Sequence, residues 1–386
     1  MSEDIDQTRR KAMKVAAGAI GAGVMLSGSM NVFASQTDAK GNIQARGYAA
    51  FDTSGKLAPW KFERRPVGDN DILIDIKYAS ICHSDIHQEK GHWGAQQYPQ
   101  VPGHEIVGIV AAVGKNVTKF KVGDRAGVGC MVGNHHHHHA EEEQYSPDTI
   151  FTYGYPDDRS PTGISQGGYS NNIVVEDHFA VHIPENVTFQ EAVPLLCAGI
   201  TTYSPLMRAH LKPGTKVGVA GIGGLGHMAV KIAVSKGAEV YAFTTSPSKV
   251  KDILSFGAKE VIVVDNLSKL NQYRGQMDYM ISTIPYAFDV AAYASVVKPY
   301  GTFTQVGMPE KFEVTVNALN LAASRVNFNS SLIGGIKETQ EMVDYCVDHK
   351  VLPKIEIIKA EQINEAWENV VNKKARYRYV IDSATI

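Results

Sequence analysis

Cysteine is scarce in this chain. Four residues, Cys82, Cys130, Cys197 and Cys346, are spread over 386, far too few for the disulfide framework of a small secreted domain. Metal ligation or simple burial has to account for them. Charge of one sign is lacking too: 38 Lys+Arg face 40 Asp+Glu, and without a long basic run a nucleic-acid surface has no electrostatic support. No internal repeat is visible. The only low-complexity tract is His135 to His139, followed by Glu141 to Glu143. What the chain does have is length and an ordinary share of apolar residues, so two domains and a small organic ligand are the expectation.

The first residues read as an address. Arg9 and Arg10, with Lys11 and Lys14, precede a mildly apolar stretch from Val15 to Met30, a pattern resembling a twin-arginine export signal. Gly18, Gly21, Gly23, Ser27, Gly28 and Ser29 make that stretch too small and polar for a confident bilayer span. Val32, Phe33 and Ala34 offer a small-residue cleavage site. The expectation is a signal peptide over residues 1–34, the twin-arginine machinery as a partner and a periplasmic location. A disordered tail on a cytoplasmic protein and an uncleaved anchor are the alternatives.

From Ala45 to about Val181, short β-rich runs (Ile72 to Ile76, Glu105 to Val113, Ser170 to Val175) alternate with glycine and proline, which predicts a β-rich lobe. From Gln190 to about Asn329 the pattern becomes apolar runs alternating with helical stretches: Lys216 to Ala220, Gly226 to Lys236, Val240 to Thr244, Lys249 to Phe256, Val261 to Val264. Such alternation predicts an α/β fold with a parallel sheet and crossover helices. Lys337 to His349 reads as a helix, and Arg378 to Ile381 as a strand returning to the first lobe.

Val217 to Ala220 runs directly into Gly221-Ile222-Gly223-Gly224-Leu225-Gly226, and an apolar helix follows. Between a strand and a helix this pattern has a purpose. Gly221 permits the tight turn, Gly223 lets backbone approach a pyrophosphate, and Gly226 lets helix pack closely on strand. The helix N-terminus adds unpaired N–H groups for the phosphates. An NAD site would place Asp or Glu at the end of the second strand, on the ribose hydroxyls. Here that position reads Thr244, Thr245, Ser246 and, shortly after, Lys249. These are groups that bind a 2′-phosphate rather than repel it, so NADP(H) is the expected cofactor.

Cys82, His104 and Cys197 supply two thiols and an imidazole upstream of the dinucleotide motif. A catalytic zinc commonly takes three protein ligands and keeps a fourth position open. Each residue alone would be weak, since a single cysteine is usually a small buried hydrophobe. Together they suggest a metal centre.

The segments ICHSDIH (81–87), YPQVPGHEIVG (98–108), VGDRAGVGC (122–130), CAGITTYSPL (197–206), GIGGLGHMAVK (221–231), FTTSPSK (243–249) and SLIGGIKETQEM (331–342) resemble the zinc-containing medium-chain dehydrogenases, in particular their cinnamyl alcohol dehydrogenase branch. The resemblance implies a GroES-like catalytic domain over 44–189, completed by 331–386, and a doubly wound Rossmann domain over 190–330. It implies that Cys82, His104 and Cys197 ligate one catalytic zinc, with Glu105 as an occasional fourth ligand. Asp85 would hold the far nitrogen of His104 and fix its tautomer. Ser84 would take the alcohol proton and pass it on to His87, facing solvent, and Thr201 would sit near the nicotinamide. Trp93, Tyr98, Met131, Leu332 and Ile333 would wall an apolar or aromatic alcohol or aldehyde pocket. Cys130 and Cys346 are read as inert buried thiols, and a homodimer is left open.

One part of the family pattern is missing. After Cys130 such proteins usually carry four cysteines, spaced C-x2-C-x2-C-x7-C, around a structural zinc. This chain reads Gly133-Asn134 followed by the histidine tract, so a tetrathiolate site is excluded. A metal-free loop, a replacement site built on His135, His138 and Glu141, and an engineered tract are the three readings. The functional rivals are a zinc-free medium-chain reductase and a non-catalytic metal- or dinucleotide-binding protein.

Overall fold

The computed structural model describes residues 37–39, 41–135 and 142–386. The expected export signal and most of the histidine tract lie outside the described residues.

The β-rich lobe begins with an antiparallel pair, β1 (Ile43–Ala50) and β2 (Leu57–Arg64). Its main sheet is laid down by β3 (Asp71–Ser80), β4 (Ile106–Val113) and β5 (Arg125–Val128), all antiparallel. β6 (Met131–Asn134) pairs with β7 (Thr149–Phe151), while β8 (Asn172–Glu176) joins β3 and β9 (Ala180–His182) joins β5. Alternation places Ile72, Ile74 and Ile76 in the core, with Asp75 and, just after Ile76, Lys77 on the outer face.

The second sheet contains β10 (Lys216–Ala220), β11 (Glu239–Thr244), β12 (Glu260–Val263), β13 (Met277–Ser282), β14 (Val297–Gln305) and β15 (Asn327–Ser330), in the spatial order β12-β11-β10-β13-β14-β15. All of its pairings are parallel. The order reverses at β10, so the C-terminal end of β10 is the topological switch point where a dinucleotide binds in such sheets. Helix Gly226–Ser235 packs on this strand through Met228, Ala229, Val230, Ile232 and Ala233, all fully buried. Val217 and Val219 in the strand are fully buried as well, as expected of a parallel sheet covered on both faces.

The chain then returns to the first sheet. β16 (Ile355–Lys359) lies parallel to β17 (Arg378–Asp382), and β17 pairs antiparallel with β3. One apolar core runs from Ile72 and Val110 through Val193, Leu195 and Ala198 to Val219 and Met228. The two sheets are thus fixed by shared packing, and the cleft between them has firm walls.

Sequence pattern and structure agree on the elements that carry motifs. The run Lys249 to Phe256 is shorter as a helix, Val250–Ser255, with a turn at Pro247–Lys249 before it. The β1–β2 pair and β16 carry weaker signals. β16 reads Ile-Glu-Ile-Ile-Lys with exposed members, because it is an edge strand with little to bury.

Candidate active site

Cys82 sits directly before helix His83–Glu89, and its backbone N–H donates to Asp85 Oδ2 at 2.9 Å. Cys197 likewise precedes helix Ala198–Arg208. His104 and Glu105 close the loop before β4, where Gly103 adopts φ +105°. A Cβ at Gly103 would come within 2.5 Å of the Tyr169 ring, so glycine is required for this turn on two counts. These three entry points bring the ligand atoms of Cys82, His104, Glu105 and Cys197 within 4.8 Å of one another, all four residues being buried.

Asp85 organises the cradle. Its Oδ1 lies 2.8 Å from His104 Nδ1, with the Asp85 side chain fully sealed from solvent. Its Oδ2 accepts from the Tyr169 hydroxyl at 2.8 Å as well as from Cys82 N–H. With Nδ1 so engaged, His104 turns its other nitrogen toward the thiols, the geometry a metal-ligating histidine requires. Burial works against the charged imidazole, yet Asp85, Cys130 and the hydrogen bond to Cys82 hold His104 well above its ordinary pKa. A hydrogen bond from Cys197, aided by His104, draws Cys82 well below the usual thiol range. Hydrogen bonds with Cys130 and Cys82, together with burial, push Cys197 well above it.

Glu105 is pushed up to about 7 by burial, against the pull of Arg378. Its Oε2 is ion-paired with Arg378, and its Oε1 is buried without a hydrogen-bond partner. Two thiols, an imidazole with its far nitrogen engaged and an orphaned carboxylate oxygen form a donor set that fits zinc.

The cradle opens into a cleft of about 1000 Å³ whose walls include Ser84, His87 and Thr201 at one end. At the other end are Gly221, Gly223, Gly224, Leu225, Thr244, Thr245, Ser246 and Lys249. The glycines have the backbone geometry the motif requires. Gly221 has φ +80°, a Cβ at Gly226 would collide with the Gly221 carbonyl, and a Cβ at Gly223 would meet open space on the cleft side. Thr201 Oγ1 lies 3.8 Å from Cys197 Sγ.

Lys249 is buried. Its Nζ donates to the Ile222 carbonyl at 2.9 Å, and burial, then Arg376 and Lys373, bring its pKa down to about 8. Ser246 N–H donates to Thr244 Oγ1 at 3.1 Å, and Arg376 Nη2 to Ser248 Oγ at 2.8 Å. Arg376 and Lys373 were not singled out from sequence. Their signal was present in the basic run Lys373-Lys374-Ala375-Arg376-Tyr377-Arg378, but only the fold shows that this run borders the Thr244–Lys249 turn.

Several expectations need correction. His87 does not face solvent: it is 5% exposed. It lies between the rings of His83 and Trp93, with centroids at 4.7 and 5.4 Å, and its Nδ1 is 2.8 Å from His92 Nδ1. Burial, helped by His83 and His92, takes its pKa down to about 4. The reason is the segment Pro309–Phe312, which closes over this region. Trp93 Nε1 donates to the Pro309 carbonyl at 3.0 Å, and the Phe312 ring stacks on Trp93 at 4.9 Å.

Among the expected pocket walls, Trp93, Leu332 and Ile333 line the cleft, joined by Tyr153, Tyr155 and Tyr286. Tyr98 and Met131 do not. The Tyr98 hydroxyl donates to the Glu89 carbonyl at 2.6 Å, and Met131 is packed in the core. Cys346 is a buried thiol raised to about 12 by burial, as expected. Cys130 is different, since it is half-buried, lines the cleft and lies near enough to Cys197 to help push that thiol up. Beyond the histidine tract, Glu143 ties the chain to His178 at 2.7 Å and to the backbone N–H of Ile336 at 3.3 Å.

Comparison with known proteins agrees with this arrangement. Residues 68–185 match the alcohol dehydrogenase GroES-like domain, and residues 224–348 match the zinc-binding dehydrogenase family. The chain is 45% identical over 345 residues to NADP-dependent alcohol dehydrogenase C 1 of Mycolicibacterium smegmatis, covering 88% of this chain and 98% of that protein. Among solved structures, a cinnamyl alcohol dehydrogenase of Sorghum bicolor superposes with TM-score 0.85 at 36% identity, covering 88% of this chain and 98% of that one. The CAD of Helicobacter pylori complexed with NADP(H) gives TM-score 0.84 at 42% identity, over 89% and 99% of the two chains.

Proposed function

We propose, from the premise that this chain belongs to the zinc-type medium-chain alcohol dehydrogenases, that it is an NADP(H)-linked enzyme of the cinnamyl alcohol dehydrogenase kind. It interconverts apolar or aromatic primary alcohols with their aldehydes. The observation that carries this reading is that one cleft joins the four-donor cradle at Cys82, His104, Glu105 and Cys197 to the glycine loop and the Thr244–Lys249 turn.

Zinc held by Cys82, His104 and Cys197, with Glu105 at hand, would supply Lewis acidity toward the substrate oxygen, and a bound nicotinamide would supply hydride exchange with its carbon. The chain's own residues do the rest. Ser84 and His87 stand three residues apart on one helix and therefore share a face. Ser84 takes the proton released by the alcohol, and His87, held neutral by burial, receives it further on. Because His87 is buried, the proton leaves through its Nδ1 to His92, whose side chain is 30% exposed. Thr201 shapes the cofactor side of the cradle. Trp93, Leu332, Ile333 and Tyr155 exclude water and favour an apolar or aromatic substrate.

The 2′-phosphate of NADP(H) would lie at Thr244, Thr245, Ser246 and Lys249, and the relatives named above for NADP dependence favour the same cofactor. A zinc-free reductase would have no use for the buried cradle and its orphaned Glu105 oxygen. Metal analysis combined with an aldehyde panel, assayed with NADH and with NADPH, tests the proposal. Absence of turnover with every alcohol or aldehyde in a zinc-replete sample would sink it. Export through the twin-arginine pathway, which carries folded proteins, is part of the same reading. Unprocessed chain found only in the cytoplasm would overturn that part alone.

A further inference from the structure

Outside the catalytic cradle, the described residues contain a second group of metal-type donors, at the mouth of the cleft: His87, His92 and Glu310. The two histidines come from helix His83–Glu89 and the turn after it, and Glu310 from the segment that follows β14 in the other sheet. We propose that these three residues form a second divalent-cation site, for zinc or copper(II), which ties the mouth of the cleft across the two sheets and inhibits the enzyme when filled. The binding claim stands on geometry alone, and the inhibition claim rests on the dehydrogenase reading above.

The donors are already close to ligand geometry. All three ligand atoms lie within 4.8 Å of one another, the two Nδ1 atoms are 2.8 Å apart, and His92 Nδ1 is 3.5 Å from Glu310 Oε1. Zinc–nitrogen bonds of 2.0–2.1 Å at a tetrahedral angle place neighbouring donors roughly 3.3 Å apart. The carboxylate is therefore in range, and the rings need to part by only about half an ångström. Two imidazole nitrogens this close share a hydrogen bond, one ring's Nδ1–H donating to the lone pair of the other ring's Nδ1. When an ion enters, the ring carrying Nδ1–H keeps its proton by moving it to Nε2, so both Nδ1 lone pairs face the ion and charge and atoms balance.

The surroundings fix the donors in place. His87 is stacked between His83 and Trp93, Trp93 stacks on Phe312, and Lys311 N–H donates to the His92 carbonyl at 3.2 Å. The loop bearing Glu310 is thus held beside the turn bearing His92 before any ion arrives. With Glu310 64% and His92 30% exposed, solvent has access from outside. Two imidazoles with one carboxylate select borderline ions over magnesium or calcium, which demand oxygen donors. A filled site would occupy the His87 nitrogen used to pass the proton outward and would pin the loop over the cleft.

The test uses zinc-loaded enzyme in which His136, His137, His138 and His139 are each replaced by serine, so that the histidine tract cannot supply a competing site. Copper(II) is added and read by electron paramagnetic resonance. Coupling to two nitrogens is expected in this parent and to one after His92→Gln. Added zinc should inhibit turnover of the parent, and Glu310→Gln should weaken that inhibition about tenfold or more while leaving activity in zinc-buffered medium unchanged. A copper spectrum unaltered by His92→Gln, or no ion bound beyond the first, overturns the site. Binding with equal inhibition of parent and Glu310→Gln overturns the inhibitory role. If no dehydrogenase activity exists to inhibit, the resonance spectra still decide the site, so failure here and failure of the proposed function are distinguishable.

Discussion

Arg378 and Glu105 form an ion pair sealed from solvent, with side chains 2% and 0% exposed, that joins the last strand of the chain to the residue after His104. The guanidinium also donates to Ser80 Oγ at 3.2 Å, and a Cβ at Gly224 would come within 2.8 Å of its Nη1. One side chain thus touches the four-donor cradle and the glycine loop. This makes the C-terminal return strand part of the site, although it lies 273 residues from Glu105.

Removing one partner of such a pair should cost more than removing both. Arg378→Met leaves a buried carboxylate without its counter-charge, a change that typically destabilises by about 3 to 5 kcal/mol. The double variant Arg378→Met with Glu105→Gln should recover much of that loss, because no isolated charge remains. Urea unfolding of the three proteins checks this. Equal destabilisation in the single and the double variant would show that the pair is not coupled.

The cradle predicts a metal dependence with a structural consequence. Cys82→Ser should fold but lose most bound metal and most turnover, since a hydroxyl is a far poorer zinc ligand than a thiolate. Chelation of the unsubstituted protein should lower its thermal midpoint, because binding to the native state alone stabilises it. Zinc analysis and thermal scans before and after chelation test both expectations. Full activity in Cys82→Ser would refute the ligand assignment.

Asp85 gives a finer test. Asp85→Asn can still accept from Cys82 N–H and the Tyr169 hydroxyl, but it takes the negative charge away from His104 Nδ1. The loss expected is about 10- to 100-fold in zinc affinity or activity, with the fold intact. A zinc-affinity titration against a competing chelator measures it, and an unchanged affinity would mean that Asp85 serves the turn and not the metal.

How far the site was legible from sequence depends on how local each signal is. Gly221, Gly223 and Gly226 could be assigned roles because strand, turn and helix are contiguous, and φ and close approach follow from that alone. Cys82, His104 and Cys197 were individually mute and informative only as a set upstream of a dinucleotide motif. What stayed hidden depends on contacts between distant segments. Burial of His87 needs the loop at Pro309–Phe312, Arg376 reaches Ser248 across 128 residues, and Cys130 comes near Cys197 only because the end of β5 packs against the helical turn Val193–Leu196. Tyr98 and Met131 were misplaced for the same reason. Their apolar character is satisfied as well by the core as by a pocket, and no pattern distinguishes the two.

The last prediction concerns cofactor choice. Thr244, Thr245, Ser246 and Lys249 border the cleft, and no carboxylate occupies the end of β11. A 2′-phosphate carries close to two negative charges, and each charge-assisted hydrogen bond contributes roughly 1.5 to 3 kcal/mol. Two such contacts, partly solvated and so contributing about 1.4 to 4 kcal/mol together, favour NADPH over NADH by about ten- to a thousandfold. Lys249→Ala should erase most of that preference by weakening NADPH alone. Thr244→Asp should invert it, because the new carboxylate accepts from a ribose hydroxyl and repels phosphate. The ammonium also sets a pH signature. Burial, with Arg376 and Lys373 adding to it, lowers Lys249 to about 8, so the free enzyme loses this charge as pH rises through that value. The kcat/KM for NADPH, which reports the free enzyme, should therefore fall above pH 8 while that for NADH does not. Lys249→Arg, whose charge persists, should carry the NADPH preference to higher pH. Measuring kcat/KM for both cofactors with one aldehyde across this range decides the matter. An unmodified enzyme that prefers NADH, or a preference insensitive to Lys249→Ala, would show that this turn does not hold the phosphate.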